Sequence, residues 1–177
     1  MSAAQVINQP LVQVENVYAG YNHETVLEDI NLAIQPEDFI GLIGPNGGGK
    51  TTLIRLMAGL LAADEGSIRG GGLVGYVPQQ SRFDLSFPLT VREFVLMGTL
   101  ASKIRPFFYF DAARKAAADE AIERSGLAGL ASRGIGQLSG GQRGRALIAR
   151  ALASDAQIIV LDEPDASLDI DAAQALY

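Results

Sequence analysis

The stretch FIGLIGPNGGGKTTLIRLMAGL, residues 39–60, decides the fold. It opens on a short apolar run, Phe39–Ile43, crosses a glycine-rich segment and closes on a pattern of helical spacing. A continuous apolar run of this length ending in glycines predicts a buried strand of a parallel sheet. From Thr51 to Leu60 a helix is predicted, with Leu53, Leu56, Met57 and Leu60 on one face and Gly59 near its end. Between strand and helix, GPNGGGKT at 44–51 fits G-x-x-x-x-G-K-[ST] in the setting the motif requires. Gly44, Gly47 and Gly49 permit the tight turn that brings backbone N–H groups against an anion. The helix starting near Lys50 adds its positive end to the same place. Lys50 supplies a mobile charge for the β- and γ-phosphates of a nucleotide, and the Thr51 hydroxyl can ligand Mg²⁺. Pro45, Asn46 and Gly48 complete the loop, and the amides from Gly47 to Thr52 form the expected triphosphate grip. The competing reading is a glycine-rich turn with a stray lysine. Lysine recurs only at Lys103 and Lys115, which makes that coincidence the weaker explanation.

Outward from this segment the chain reads as α/β. LVQVENV (11–17) and INLAI (30–34) alternate with the period of half-buried strands, and LVGYV (73–77) is strand-like. Residues from about Thr90 to Arg133 read as helical, with Asp111 an N-cap and Gly126 a stop for the helix DAARKAAADEAIERSG. Ile158–Leu161 is the next buried strand. Strands alternating with helices predict a mainly parallel sheet, and the stretch near 90–135 reads as a helical insertion into it.

At 177 residues the chain suffices for one domain with a real core. It has no cysteine, which excludes disulfides and Cys-ligated zinc. A formal net charge of -6 argues against a nucleic-acid partner, whose binders carry a basic face. No run approaches the roughly 20 apolar residues that span a bilayer, and no signal peptide opens the chain. A cytoplasmic location is therefore the expectation.

The chain closes on IIVLDEPDASLDIDAAQALY, residues 158–177. In nucleotide sites of this kind the strand carrying Asp162 lies beside the cradle strand, with the acid near the bound cation. Asp162 is expected to hold Mg²⁺ through water. Glu163 faces the other way, since successive strand residues alternate, and can polarise a water aimed at the γ-phosphate. An isolated acid after a strand is more often a helix cap; beside a lysine cradle the catalytic reading prevails. Leu138, Ser139, Gly140, Gly141 and Gln142 spell LSGGQ, in which S-x-x-Q forms a capping box. Gly140, Gly141 and Gly144 weaken the first turns by about 1 kcal/mol each relative to alanine. Capping does not need them, but close approach of a phosphate does.

The combination of GPNGGGKT, LSGGQ and LDEP resembles the nucleotide-binding domain of ABC-type ATPases over nearly the whole chain. The resemblance implies a P-loop NTPase core with a mainly parallel sheet, N-terminal antiparallel β strands and an inserted helical subdomain. It divides residues 1–177 into an ATP-binding core, 1–89 and 155–177, and a helical subdomain with the signature, 90–154. Tyr21 matches the aromatic that stacks on adenine, Gln79 the glutamine that senses Mg²⁺ and the attacking water, and Asp169 the aspartate that meets a partner subunit. Two phosphate-binding helix ends with one lysine cradle imply a head-to-tail dimer, each ATP lying between one cradle and the other subunit's LSGGQ. Gly48, Thr51 and Gly144 depart from the family's commoner alanine, serine and glutamine; the last leaves the signature helix less rigid.

The family's histidine beyond the carboxylate pair has no counterpart, because the only histidine is His23. Tyr177 falls inside a helical pattern, so the chain is expected to be incomplete at its C-terminus and to hydrolyse ATP poorly unaided. YVPQQSRFDLSFPLTVREFVLMG (76–98) is similar to ATP-binding subunits of manganese, zinc or iron importers. That similarity implies membrane permease subunits as partners through the 80–100 region, and a peripheral place on the cytoplasmic face. A soluble, non-transport ABC ATPase and an ATP-binding protein with little or no hydrolysis remain open alternatives.

Overall fold

The computed structural model describes residues 9–22, 24–70, 74–77, 88–100 and 110–162. The chain forms two compact units, Met1–Val74 and Gly75–Tyr177. The first is built on a three-stranded antiparallel sheet of β1 (Val12–Tyr21), β2 (Glu24–Ile34) and β3 (Glu65–Gly70), with β1 in the centre. Both expected N-terminal strands are present and longer than their alternation alone indicated.

The buried side of β1 carries Val12, Val14, Val17 and Ala19, a period of two that skips one residue. Asn16 accounts for the skip. Its φ of +48° places an extra residue in the strand, and the register with β2 shifts between Val14 and Val17. A bulge of this kind restores the apolar side chains to one face. Asn16 and Asp29, the latter also at positive φ, are tied together by Asn16 Nδ2 donating to Asp29 Oδ1 at 2.9 Å. Asn31 Oδ1 accepts from the Asn16 amide at 2.9 Å, so the bulge is held from across the pair.

Helix α1 spans Lys50–Met57 and buries Thr52, Ile54 and Leu56. The expected extension to Leu60 is corrected, because Gly59 at φ +69° turns the chain and Leu60 is 63% exposed. The Gly59 amide donates to the Leu56 carbonyl and the Leu60 amide to that of Arg55, at 3.1 and 2.8 Å. This pair of bonds is the Schellman closure, which satisfies the last carbonyls and ends the helix.

The predicted buried strand Phe39–Ile43 is also corrected. The segment belongs to neither sheet, and Phe39 and Ile43 are 73% and 98% exposed. An apolar run becomes a strand only where a neighbouring edge takes up its N–H and C=O groups. In this unit the ladder bonds close on β1 and do not extend to residues 39–43.

Strand β4 (Val74–Val77), all but its first residue in the second unit, pairs in parallel with β5 (Ile158–Leu161). All four β5 residues are half-buried, not fully buried as expected. Helices α2 (Val91–Leu96), α3 (Ala112–Arg124) and α4 (Gly140–Leu152) pack around Phe94, Val95, Leu127 and Ala149. The stretch expected to be helical from Thr90 is thus divided: α2 runs into a 3₁₀ turn at Met97–Leu100, and further short turns fall at 128–130 and 135–137.

Three caps set these helices. Thr90 and Glu93 form a capping box on α2, the Glu93 carboxylate accepting from the Thr90 amide at 2.8 Å. That amide, and after it the Thr90 hydroxyl, hold the Glu93 carboxyl below its ordinary pKa. Asp111 caps α3 as expected, and Gly126 at φ +65° ends it with a second Schellman closure through Leu127 and Ile122. Ser139 caps α4. A Cβ on Gly98 would stand 2.1 Å from the Arg150 carbonyl, so only glycine lets the turn after α2 approach α4 this closely.

Candidate nucleotide site

In the first unit the loop from Gly44 to Gly48 is solvent-exposed and leads into α1 through Gly49. Gly47 and Gly49 adopt φ of +79° and +81°, the left-handed region that L side chains rarely enter. A Cβ at Gly49 would also meet Leu27 Cδ2 at 2.9 Å, so this glycine is needed twice over. A Cβ at Gly44 or Gly47 would have nothing within 4 Å. The Gly48 amide donates to the Pro45 carbonyl at 3.1 Å and pins the turn.

Gly49 caps α1 without any side-chain hydrogen bond, and no acidic residue stands in the first turn. Within its own first turn, no carboxylate offsets the positive end of the helix. The Lys50 ammonium folds back over the loop and donates to the carbonyls of Gly44 and Pro45, each at 2.8 Å. A cation held by two backbone carbonyls at the start of a helix is an arrangement suited to phosphate. Thr52 is buried, so its contribution to such a grip is its main-chain amide. Asn46 is exposed in the loop.

Tyr21, at the end of β1, is 39% exposed, as an aromatic that offers a face to a ligand must be. Its hydroxyl accepts from Arg55 Nη1 at 3.3 Å, which links the expected adenine platform to the last turn of α1. Arg55 had no place in the motif reading. A contact between residues 34 apart leaves no mark in a local pattern.

In the second unit Asp162 follows β5 and is 5% exposed. Its amide donates to the Val77 carbonyl at 3.0 Å, and its Oδ2 accepts from the Tyr76 hydroxyl at 3.0 Å. Tyr76 is a second residue that motif reading passed over. The carboxylate of Asp162 is an oxygen donor of the type that suits a hard divalent cation. Gln79, Glu163 and Asp169 lie outside the described residues, as does His23.

The signature segment has the expected local geometry. Ser139 Oγ accepts from the Gln142 amide at 3.3 Å, and Gln142 Oε1 accepts from the Ser139 amide at 2.9 Å. Leu138 is buried in the helical cluster, and its carbonyl accepts from Arg143 at 2.9 Å. A Cβ on Gly140 would have nothing within 4 Å, and no acidic residue stands in the first turn of α4. The N-terminus of α4 thus resembles that of α1 in being anion-ready. Gly144 does not interrupt α4, which runs unbroken to Leu152.

The profile of the family described as "ABC transporter" matches residues 27–166. The zinc uptake system ATP-binding protein ZurA of Listeria innocua is 38% identical over 178 aligned residues, covering 94% of this chain and 69% of that protein. The zinc import ATP-binding protein ZnuC of Alcanivorax borkumensis is 42% identical over 173 residues, 96% of this chain and 62% of that protein. Among solved structures, a metal-chelate type ABC transporter in an inward-facing conformation matches with a TM-score of 0.81 at 33% identity. That match covers 96% of this chain and 66% of the other. The chain therefore spans between 62 and 69% of the length of these three.

Proposed function

Because the chain belongs to the ABC transporter family of ATPases, we propose that it is the ATP-binding and ATP-hydrolysing subunit of a metal-ion importer, zinc first among the candidate metals. The observation that carries the nucleotide part is the Lys50 ammonium held by the glycine loop at a helix start that Gly49 caps without a side-chain hydrogen bond. The metal follows from what the similar proteins are named for, zinc uptake and zinc import.

On binding, Lys50 exchanges its two carbonyl partners for β- and γ-phosphate oxygens, and the amides from Gly47 to Thr52 close on the polyphosphate. Tyr21 stacks on the adenine. Thr51, Gln79 and Asp162 would hold Mg²⁺, which would supply charge neutralisation for the phosphoryl group being transferred. Glu163 accepts a proton from the attacking water as the bond to the departing ADP breaks. Residues 1–89 and 155–177 form the ATP-binding core and 90–154 the signature-bearing subdomain.

In the proposed head-to-tail dimer, Leu138–Gln142 of each subunit meets the nucleotide on the other, with Asp169 at the contact. The 80–100 region faces the permease, which places the chain on the cytoplasmic side of the membrane. Val91, Phe94 and Val95 are core, so such a contact falls on the exposed face with Arg92, Glu93 and Met97. Among the described residues no helix is long and apolar enough to cross a membrane.

Ser139→Arg tests the dimer. It is expected to leave ATP affinity unchanged while cooperative turnover falls by about a hundredfold or more, since a bulky cation replaces the helix-end donors. Phosphate release at the parental rate would count against a nucleotide shared between subunits. The transported ion has its own test: cells lacking the gene are expected to take up less radiolabelled zinc at limiting supply. Uptake equal to that of the parent would remove zinc as the substrate.

A further inference from the structure

Asp162 is fixed to β4 twice, and the two attachments come from consecutive residues. Its backbone N–H donates to the Val77 carbonyl, and its carboxylate accepts from the Tyr76 hydroxyl, both at 3.0 Å. The first bond sets where the Cα sits relative to β4. The second sets the plane of the carboxylate, because rotation about the Cβ–Cγ bond would break it. The geometry points to Tyr76 as a positioning residue: its phenol orients the buried carboxylate of Asp162 for the cation that accompanies the nucleotide. This inference rests on the reading of Asp162 as the cation anchor.

Chemistry and burial both support the assignment. Asp162 is 5% exposed, so water is poorly placed to hold the carboxylate in one orientation. A phenol is a suitable partner for this task. It donates one hydrogen bond without bringing a positive charge, so the carboxylate keeps the negative charge that attracts a divalent ion. An arginine or lysine at the same place would neutralise it and compete with the cation. Tyr76 is itself half-buried on β4. Strand alternation explains the division of labour. Tyr76 offers a side chain to Asp162 and Val77 a carbonyl, while the Val77 side chain is buried.

Partners that orient a cation-binding group carry, on removal, about a 10- to 100-fold loss of metal affinity. The test compares nucleotide affinity with and without the metal. ATP is titrated into the full chain with Mg²⁺ present and again in EDTA, for the parent, Tyr76→Phe and Asp162→Asn. Tyr76→Phe is expected to keep the metal-free affinity, which also reports that it is folded, and to lose about tenfold of the gain that Mg²⁺ confers.

A full Mg²⁺ gain in Tyr76→Phe, alongside a lost gain in Asp162→Asn, would overturn the role of Tyr76 alone. A full gain in Asp162→Asn would overturn the reading of Asp162 as well. Should Tyr76→Phe not fold, the ¹³Cζ resonance of Tyr76 in the parent chain reads the same bond. It is expected to move when Mg²⁺ is added to the ATP complex, and an unmoved resonance would contradict the proposal.

Discussion

Truncating Phe94 to alanine is expected to destabilise the helical unit by about 3–5 kcal/mol, measured by urea denaturation followed by circular dichroism. Phe94 is 2% exposed and sits among Val91, Leu127, Leu138 and Ala149, in the cluster that joins α2, α3 and α4. Two terms contribute. Removing the ring forfeits its transfer free energy and leaves a cavity that three helices, packed on one another, cannot readily fill. The ring also carries the Arg150 guanidinium 5.2 Å from its centroid, a contact of about 0.5–2 kcal/mol. Burial and cavity dominate, so Phe94→Leu should recover most of the loss although it has no aromatic face.

The consequence reaches the signature. Helix α4 is held by this cluster, and the segment it presents, Ser139–Gln142, lies at its N-terminus. A total stability of about 5–15 kcal/mol leaves little margin after such a loss. A change in stability below about 1 kcal/mol would show that the three helices are not organised around this ring.

Lys50→Ala is expected to weaken Mg-ATP binding by about a hundredfold, close to 3 kcal/mol. A hydrogen bond to a charged group contributes about 1.5–3 kcal/mol net, and the ammonium can make more than one to the phosphates. Against this stands the cost of releasing the Gly44 and Pro45 carbonyls. That cost is small, because both residues are exposed and water replaces the ammonium there. Stability should change little for the same reason. Arginine should not substitute, since a planar guanidinium does not fit a space filled by a compact point charge.

The local chemistry of these sites was readable in the sequence because it is encoded within a few residues. G-x-x-x-x-G-K-[ST] foretells left-handed glycines ahead of a helix, and S-x-x-Q foretells the reciprocal bonds of Ser139 and Gln142. The same logic applied to T-x-x-E would have found the Thr90–Glu93 box, a signal present in the sequence but not used.

What could not be read depends on distant partners. Tyr76 and Asp162 are 86 residues apart, and no periodicity links a phenol in one strand to an acid after another. The same holds for Arg55 and Tyr21. The segment Phe39–Ile43 failed in the opposite sense. Its apolar run states a preference for burial, but a strand exists only where another edge completes its hydrogen bonds, and composition carries no information about that edge.

The central claim is that the loop from Gly44 to Thr51 grips a polyphosphate through Lys50. Calorimetric titration of the parent chain and of Lys50→Ala with Mg-ATP tests it most directly. Saturable binding at one site per chain in the parent, weakened about a hundredfold in the variant, is the predicted result. Equal affinity in the two proteins, or no saturable binding in the parent, would contradict it.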